Sequence, residues 1–144
     1  PCEVLFIHRD AEAQPPNLRR QEIVEAMAEI PEPRPRHICV IPVRMSEAWF
    51  LFNETAIRRA ADKPNGRTPL ELPNLGRIES LPDPKNTLYE LLLQASEASG
   101  RRRKDFRPEQ RVHRLAGLID TYAPLRSLSA FQALEEDVRQ LPYP

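Results

Sequence analysis

The chain has 144 residues, 40% hydrophobic and 29% charged, enough for one soluble domain with a real core. Twenty-one Lys and Arg balance twenty-one Asp and Glu, which excludes polyanion binding by overall charge; any nucleic-acid contact needs a local basic patch. No apolar run approaches the ~18 residues of a membrane span and no signal peptide is visible, so the expectation is a cytoplasmic protein with no membrane partner.

Sixteen prolines against four glycines predict stiff, extended connections. Residues 3–8, "EVLFIH", read as a strand with both faces buried, as in a parallel sheet. "AQPPN" breaks it. A helix follows from about Asn17 to Ile30, with Ile23, Ala26, Met27 and Ile30 on one face. "PEPRPR" stops that helix, and "HICVIPV", 37–43, reads as a second buried strand. Pro42 near its end suggests an edge position or a bulge. Strand, helix and strand make a βαβ unit with parallel strands and a right-handed crossover.

Ser46 is a candidate N-cap for a short helix "EAWFLFN", followed by "ETAIRRAAD". Residues 63–84 carry five prolines and two glycines and show no periodicity, so they read as a long loop. Beyond it the chain reads as helical. The stripes are Leu88, Leu91, Leu92 and Ala95; Val112, Leu115, Ala116 and Ile119; and Phe131, Leu134, Val138 and Leu141. The expected fold class is α/β: a βαβ core over 1–62, a Pro-rich loop over 63–84 and a helical part over 85–144. All three belong to one domain, because a βαβ unit cannot bury its sheet alone.

Four features invite chemical readings. "HRD" at 8–10 looks like a kinase catalytic loop, but the metal-binding Asn position is Pro15, and no Gly-rich loop accompanies it. Asp10 and Glu12 lie just past the first strand, and Glu47 just past the second. Carboxylates converging at that edge are hard oxygen ligands suited to Mg²⁺ or Mn²⁺. The competing account makes Asp10 and Glu12 helix caps and Glu47 a dipole partner of its own helix. The run "GRRRKDFRPEQRVHR", 100–114, holds seven Arg and Lys against two acids, and reads as either a phosphate-contact surface or a solvated helix face. Lys85, at a helix start where the dipole disfavours it, is a further candidate phosphate contact. Cys2 and Cys39 read as reduced, buried thiols, and the three His show no metal-ligand spacing.

"VLFIHRDAEA" followed by a helix and then "VIPVRMSEAWFLFN" resembles the TOPRIM-like proteins of bacteria and archaea, including relatives in OLD-type anti-phage systems. The Asp10-Ala11-Glu12 and Glu47-Ala48-Trp49-Phe50-Leu51 segments carry the resemblance. "Asp-Pro-Lys" at 83–85 and "PLRSLSAFQALEEDV" at 124–138 extend it over most of the chain. It implies a TOPRIM-like parallel sheet and an Mg²⁺- or Mn²⁺-dependent nuclease acting on nucleic acid, foremost DNA, with an ATPase partner. Asp10, Glu12 and Glu47 would be its catalytic and metal-binding residues. Lys85, Arg101, Arg102, Arg103 and Lys104 would contact phosphate. The alternative is a non-catalytic interaction or regulatory module on the same fold. Two departures stand out. Family members begin with another strand and a Glu-Gly turn, whereas Pro1 here already opens the acidic-pair strand, so the expectation is a chain lacking that N-terminal segment. The second acid is Glu12 rather than Asp, which moves its carboxylate by about 1 Å, and a misplacement of that size can cost ~10²-fold in rate.

Overall fold

The computed structural model describes residues 3–12 and 14–141; Cys2 lies outside them. The protein is mixed α/β, mostly helical, with one two-stranded parallel sheet among the described residues. It forms two compact units. The first runs to Met45 and resumes at Leu125; the second spans Ser46–Pro124.

In the first unit, strand β1 (Val4–His8), helix α1 (Pro16–Ala28) and strand β2 (Arg36–Val40) form the expected βαβ. The parallel register runs from Val4 opposite Arg36 to His8 opposite Val40. Pro16 begins α1, where a missing N–H costs nothing. Arg34, in the proline stretch beyond, donates from Nη1 to the carbonyls of Met27 and Ala28 and so satisfies the helix end. Ile23 and Met27 pack with Ala11, Cys39 and Ile41, and Ile7 leans on that cluster. Ile30 falls beyond the helix and is exposed, so the buried stripe is narrower than its spacing predicts. Burial pushes the Cys39 thiol pKa up, as expected of an inert core cysteine.

The resumed segment supplies helix α6 (Ser129–Arg139), which packs against β2, and Arg20 bonds Asp137 at 2.8 Å to tie α1 to it. The expectation that β1 is buried on both faces is corrected. Phe6 is 57% and Leu5 37% exposed, so neither face of β1 is fully covered by the described residues.

In the second unit, the short helix expected after Ser46 is a 3₁₀ helix over Ser46–Phe50, with Ala48 and Trp49 buried. Helix α2 (Glu54–Ala60) is capped by Asn53, whose side chain accepts from the Ala56 N–H. Helix α3 (Pro84–Ala95) is capped by Asp83 and buries Leu88, Leu91, Leu92 and Ala95, the stripe its spacing predicts. Two short helices follow, α4 (Gly100–Asp105) and α5 (Pro108–Leu115). Helices α2, α3 and α5 pack on one another around Ile57, Leu88, Leu92 and Leu115.

The Pro-rich loop is ordered by local anchors. Its 3₁₀ turn (Leu75–Ser80) buries Ile78 completely. Arg58 donates to Thr68 O, Gln94 to Pro69 O, and Glu97 accepts the N–H groups of Arg67 and Thr68. Gly66 sits where these meet: a Cβ there would lie 3.0 Å from Arg58 Nη1 and 3.1 Å from Glu97 Oε1, so a larger residue requires those side chains to give by a few tenths of an ångström.

Candidate functional site

The acidic turn is fixed to the sheet by its backbone. Past the end of β1, Arg9 N–H donates to Val40 O at 3.0 Å and Ala11 N–H to Pro42 O at 2.9 Å. The parallel pairing thus continues beyond the strands and carries the turn with it. Ala11 is fully buried in the core cluster, and Gln14 N–H closes a turn on its carbonyl. Its neighbours Asp10 and Glu12 therefore leave the core on either side of a buried anchor. Glu12 takes a left-handed backbone, φ 51°, a conformation that costs a non-glycine residue energy and that clusters at functional sites.

An imidazole and a guanidinium lie beside the pair. His8 Nε2 lies 3.1 Å from Asp10 Oδ1. Arg19, on the first turns of α1 and only 14% exposed, reaches Glu12 Oε2 at 3.7 Å and Glu22 Oε1 at 2.7 Å. Arg9 contacts the other oxygen of Glu22 at 3.7 Å. Sequence reading did not select Arg19. Its signal was weak, since an Arg near a helix start works against the dipole unless an acid faces it. The capping account of the acids is not what α1 uses: its N-cap is Pro15, with no side-chain cap bond and no acid in the first turn.

Glu47 sits half-buried in the first turn of the 3₁₀ segment Ser46–Phe50. It belongs to the second unit, whereas Asp10 and Glu12 belong to the first. Among the described residues no group of three or more His, Cys, Asp or Glu is placed to hold a metal ion. Two carboxylates at one turn are still a donor set that suits Mg²⁺. That ion is commonly held by one or two protein carboxylates, with waters and substrate phosphates completing its shell.

The basic run separates into three groups. Arg111 and Arg114 both reach the carboxylate of Asp62, which itself has φ 59°. Arg111 also stacks over Phe106, 5.6 Å from the ring centroid. Arg107 folds back on the carbonyls of Lys104 and Phe106. Arg101, Arg102, Arg103 and Lys104 occupy α4, which has no buried residue; Arg101 is 94% exposed, with a long 3.6 Å contact to Asp105. Lys85, on the first turn of α3, lies 5.8 Å from the Tyr89 ring centroid. The Asp62 clamp on Arg111 and Arg114 spans about fifty residues of sequence and left no local signal.

No protein-family model matches the chain, and neither does any curated protein or solved structure. No helix among the described residues is long and apolar enough to cross a membrane.

Proposed function

We propose that the chain is a TOPRIM-like domain that cleaves phosphodiester bonds of nucleic acid, foremost DNA, with Mg²⁺ or Mn²⁺. The observation that supports this most is the seating of Asp10 and Glu12. They flank a buried residue on a turn clamped to the carboxyl end of a parallel strand pair, the edge where ligands collect in parallel sheets. Asp10 and Glu12, both in the first unit, would hold the metal. When bound, such an ion stabilises charge on the attacking and leaving oxygens. His8 would orient Asp10, and Arg19 would orient Glu12. Lys85 and Arg101 to Lys104 would bind the phosphate backbone as exposed cations. An ATPase partner and a place in phage defence rest on the resemblance alone.

The test is incubation of the protein with plasmid DNA and Mg²⁺ or Mn²⁺ beside Asp10→Ala. Cleavage lost in the variant is the expected result. Equal cleavage by both, or none with either metal, overturns the proposal. A second reading, a non-catalytic interaction module, draws support from the contacts both acids already make within the same unit, Asp10 with the His8 imidazole and Glu12 with the Arg19 guanidinium. Calorimetric titration of Mn²⁺ with DNA present separates the two. Binding that vanishes in Asp10→Ala supports the enzyme, and no binding supports the module.

A further inference from the structure

Helix α1 carries two charged residues one turn apart, Arg19 and Glu22, that reach the acidic turn and the residue just past β1. Four side chains there alternate in charge. Glu12 Oε2 lies 3.7 Å from Arg19 Nη2, Arg19 Nη1 lies 2.7 Å from Glu22 Oε1, and Glu22 Oε2 lies 3.7 Å from Arg9 Nε. The inequality of these distances decides what each contact is. At 2.7 Å Arg19 donates a charge-assisted hydrogen bond to Glu22. At 3.7 Å its contact with Glu12 is an attraction between charges without a hydrogen bond. Arg19 is therefore bound to Glu22 and only leans toward Glu12.

This division has a local cause and a tertiary one. Residues three apart are neighbours on a helix surface, which puts Glu22 within constant reach of Arg19. The Arg19 side chain is mostly buried, so its guanidinium stays near the two acids instead of swinging into solvent. Its Nε is buried with no hydrogen-bond partner among the described residues, which leaves it a donor in reserve. A guanidinium is always charged and prefers to grip both oxygens of one carboxylate. Without Glu22, its fork would close on Glu12 and cover the oxygens that a cation needs. We infer that Glu22 is a positioning residue of the acidic turn: it holds the Arg19 guanidinium off Glu12 and so keeps that carboxylate open to a divalent cation. The inference rests on the reading of Asp10 and Glu12 as metal-binding residues. Glu22 itself acts only through Arg19.

Calorimetric titration of the full chain with Mn²⁺ tests it in wild type, Glu22→Gln, Arg19→Met and the double variant. Arg19→Met keeps a buried apolar stem and removes the charge. Glu22→Gln is expected to weaken Mn²⁺ binding about tenfold, as Arg19 closes on Glu12. Loss of a nearby negative charge would weaken binding too, and the double-variant cycle separates the two causes. In the Arg19→Met background there is no guanidinium to hold off, so Glu22→Gln should cost about twofold or less. Arg19→Lys, a point charge that cannot fork onto two oxygens, serves as the background if circular dichroism shows that Arg19→Met fails to fold. Equal losses in both backgrounds would reduce Glu22 to a remote charge and overturn the inference, as would unchanged affinity in Glu22→Gln. Asp10→Ala controls for the reading beneath it. Mn²⁺ binding that Asp10→Ala abolishes, together with equal losses in the cycle, removes the positioning role alone; a wild type that binds no Mn²⁺ removes both.

Discussion

At Ala11 the chain cannot accommodate a larger side chain. The residue is fully buried between two acids, and its N–H is committed to Pro42 O. Ala11→Leu is expected to cost about 1–3 kcal/mol through overpacking, read as a lower urea midpoint with unchanged slope. Because the same atoms seat Asp10 and Glu12, the variant should also lose cleavage under conditions where it remains folded. Glu97 makes the opposite kind of contribution, at the surface. Its carboxylate accepts the N–H groups of Thr68 and Arg67, and these bonds hold its pKa below the usual 4.5. A carboxyl depressed in the folded state contributes stability that is present above the unfolded value and lost as pH falls through the folded one. Wild-type stability should therefore drop as pH falls below about 4.5. Glu97→Gln should start lower at neutral pH and show a shallower fall, measured by urea midpoints across that range. Equal acid limbs for the two proteins would remove Glu97 from this role.

Helix α4 shows what an element does when packing does not hold it. It is six residues long, buries nothing and places consecutive cations side by side. A helix this short is marginal alone, and its charges repel one another. Replacing Arg101, Arg102, Arg103 and Lys104 with Ala should leave thermal stability almost unchanged, since Ala is the best helix former. If the four contact phosphates, binding to a labelled DNA duplex should lose salt dependence, with the slope of log K against log[salt] falling by about 3 or more. Fluorescence anisotropy over a salt series measures it, and an unchanged slope would mean that α4 is only a solvated face. The other elements divide by how local their causes are. The stripe of α3 was legible because it is buried by neighbours along its whole length. The βαβ was legible because two β-branched runs flank a helix stopped by prolines. The exposure of Phe6 was not, because an apolar run reads the same whether its faces are covered or open. Ser46–Phe50 has helical spacing but is too short to distinguish an α-helix from a 3₁₀ turn. In the site, the acidic turn was legible from its place after a strand. Arg19 and the Asp62 clamp were not, because their partners are set by packing rather than by spacing.

At the scale of the whole molecule, the division into units follows cores rather than sequence order. Residues 46–124 are continuous in the chain and enclose Leu51, Ile57, Ile78, Leu88, Leu92 and Leu115, each essentially inaccessible to solvent. Their helices contact one another, and the Pro-rich loop is anchored to α2 and α3 from within the same span. The first unit is different. Its βαβ segment buries Ile23 and Met27 against one face of β2, but α6 comes from the far end of the chain to pack on that strand. Arg20 and Asp137 join the two ends again. A single helix over two strands cannot bury both faces of a sheet, and two strands alone are marginal in water. Residues 46–124 expressed alone are therefore expected to unfold cooperatively in urea and to keep a helical circular dichroism spectrum. Residues 1–45 alone should show neither. Adding residues 125–144 as a separate peptide should recover order in the 1–45 fragment, and Asp137→Ala in that peptide should weaken the recovery. A 1–45 fragment that folds unaided would show that α6 is dispensable to the sheet that carries Asp10 and Glu12.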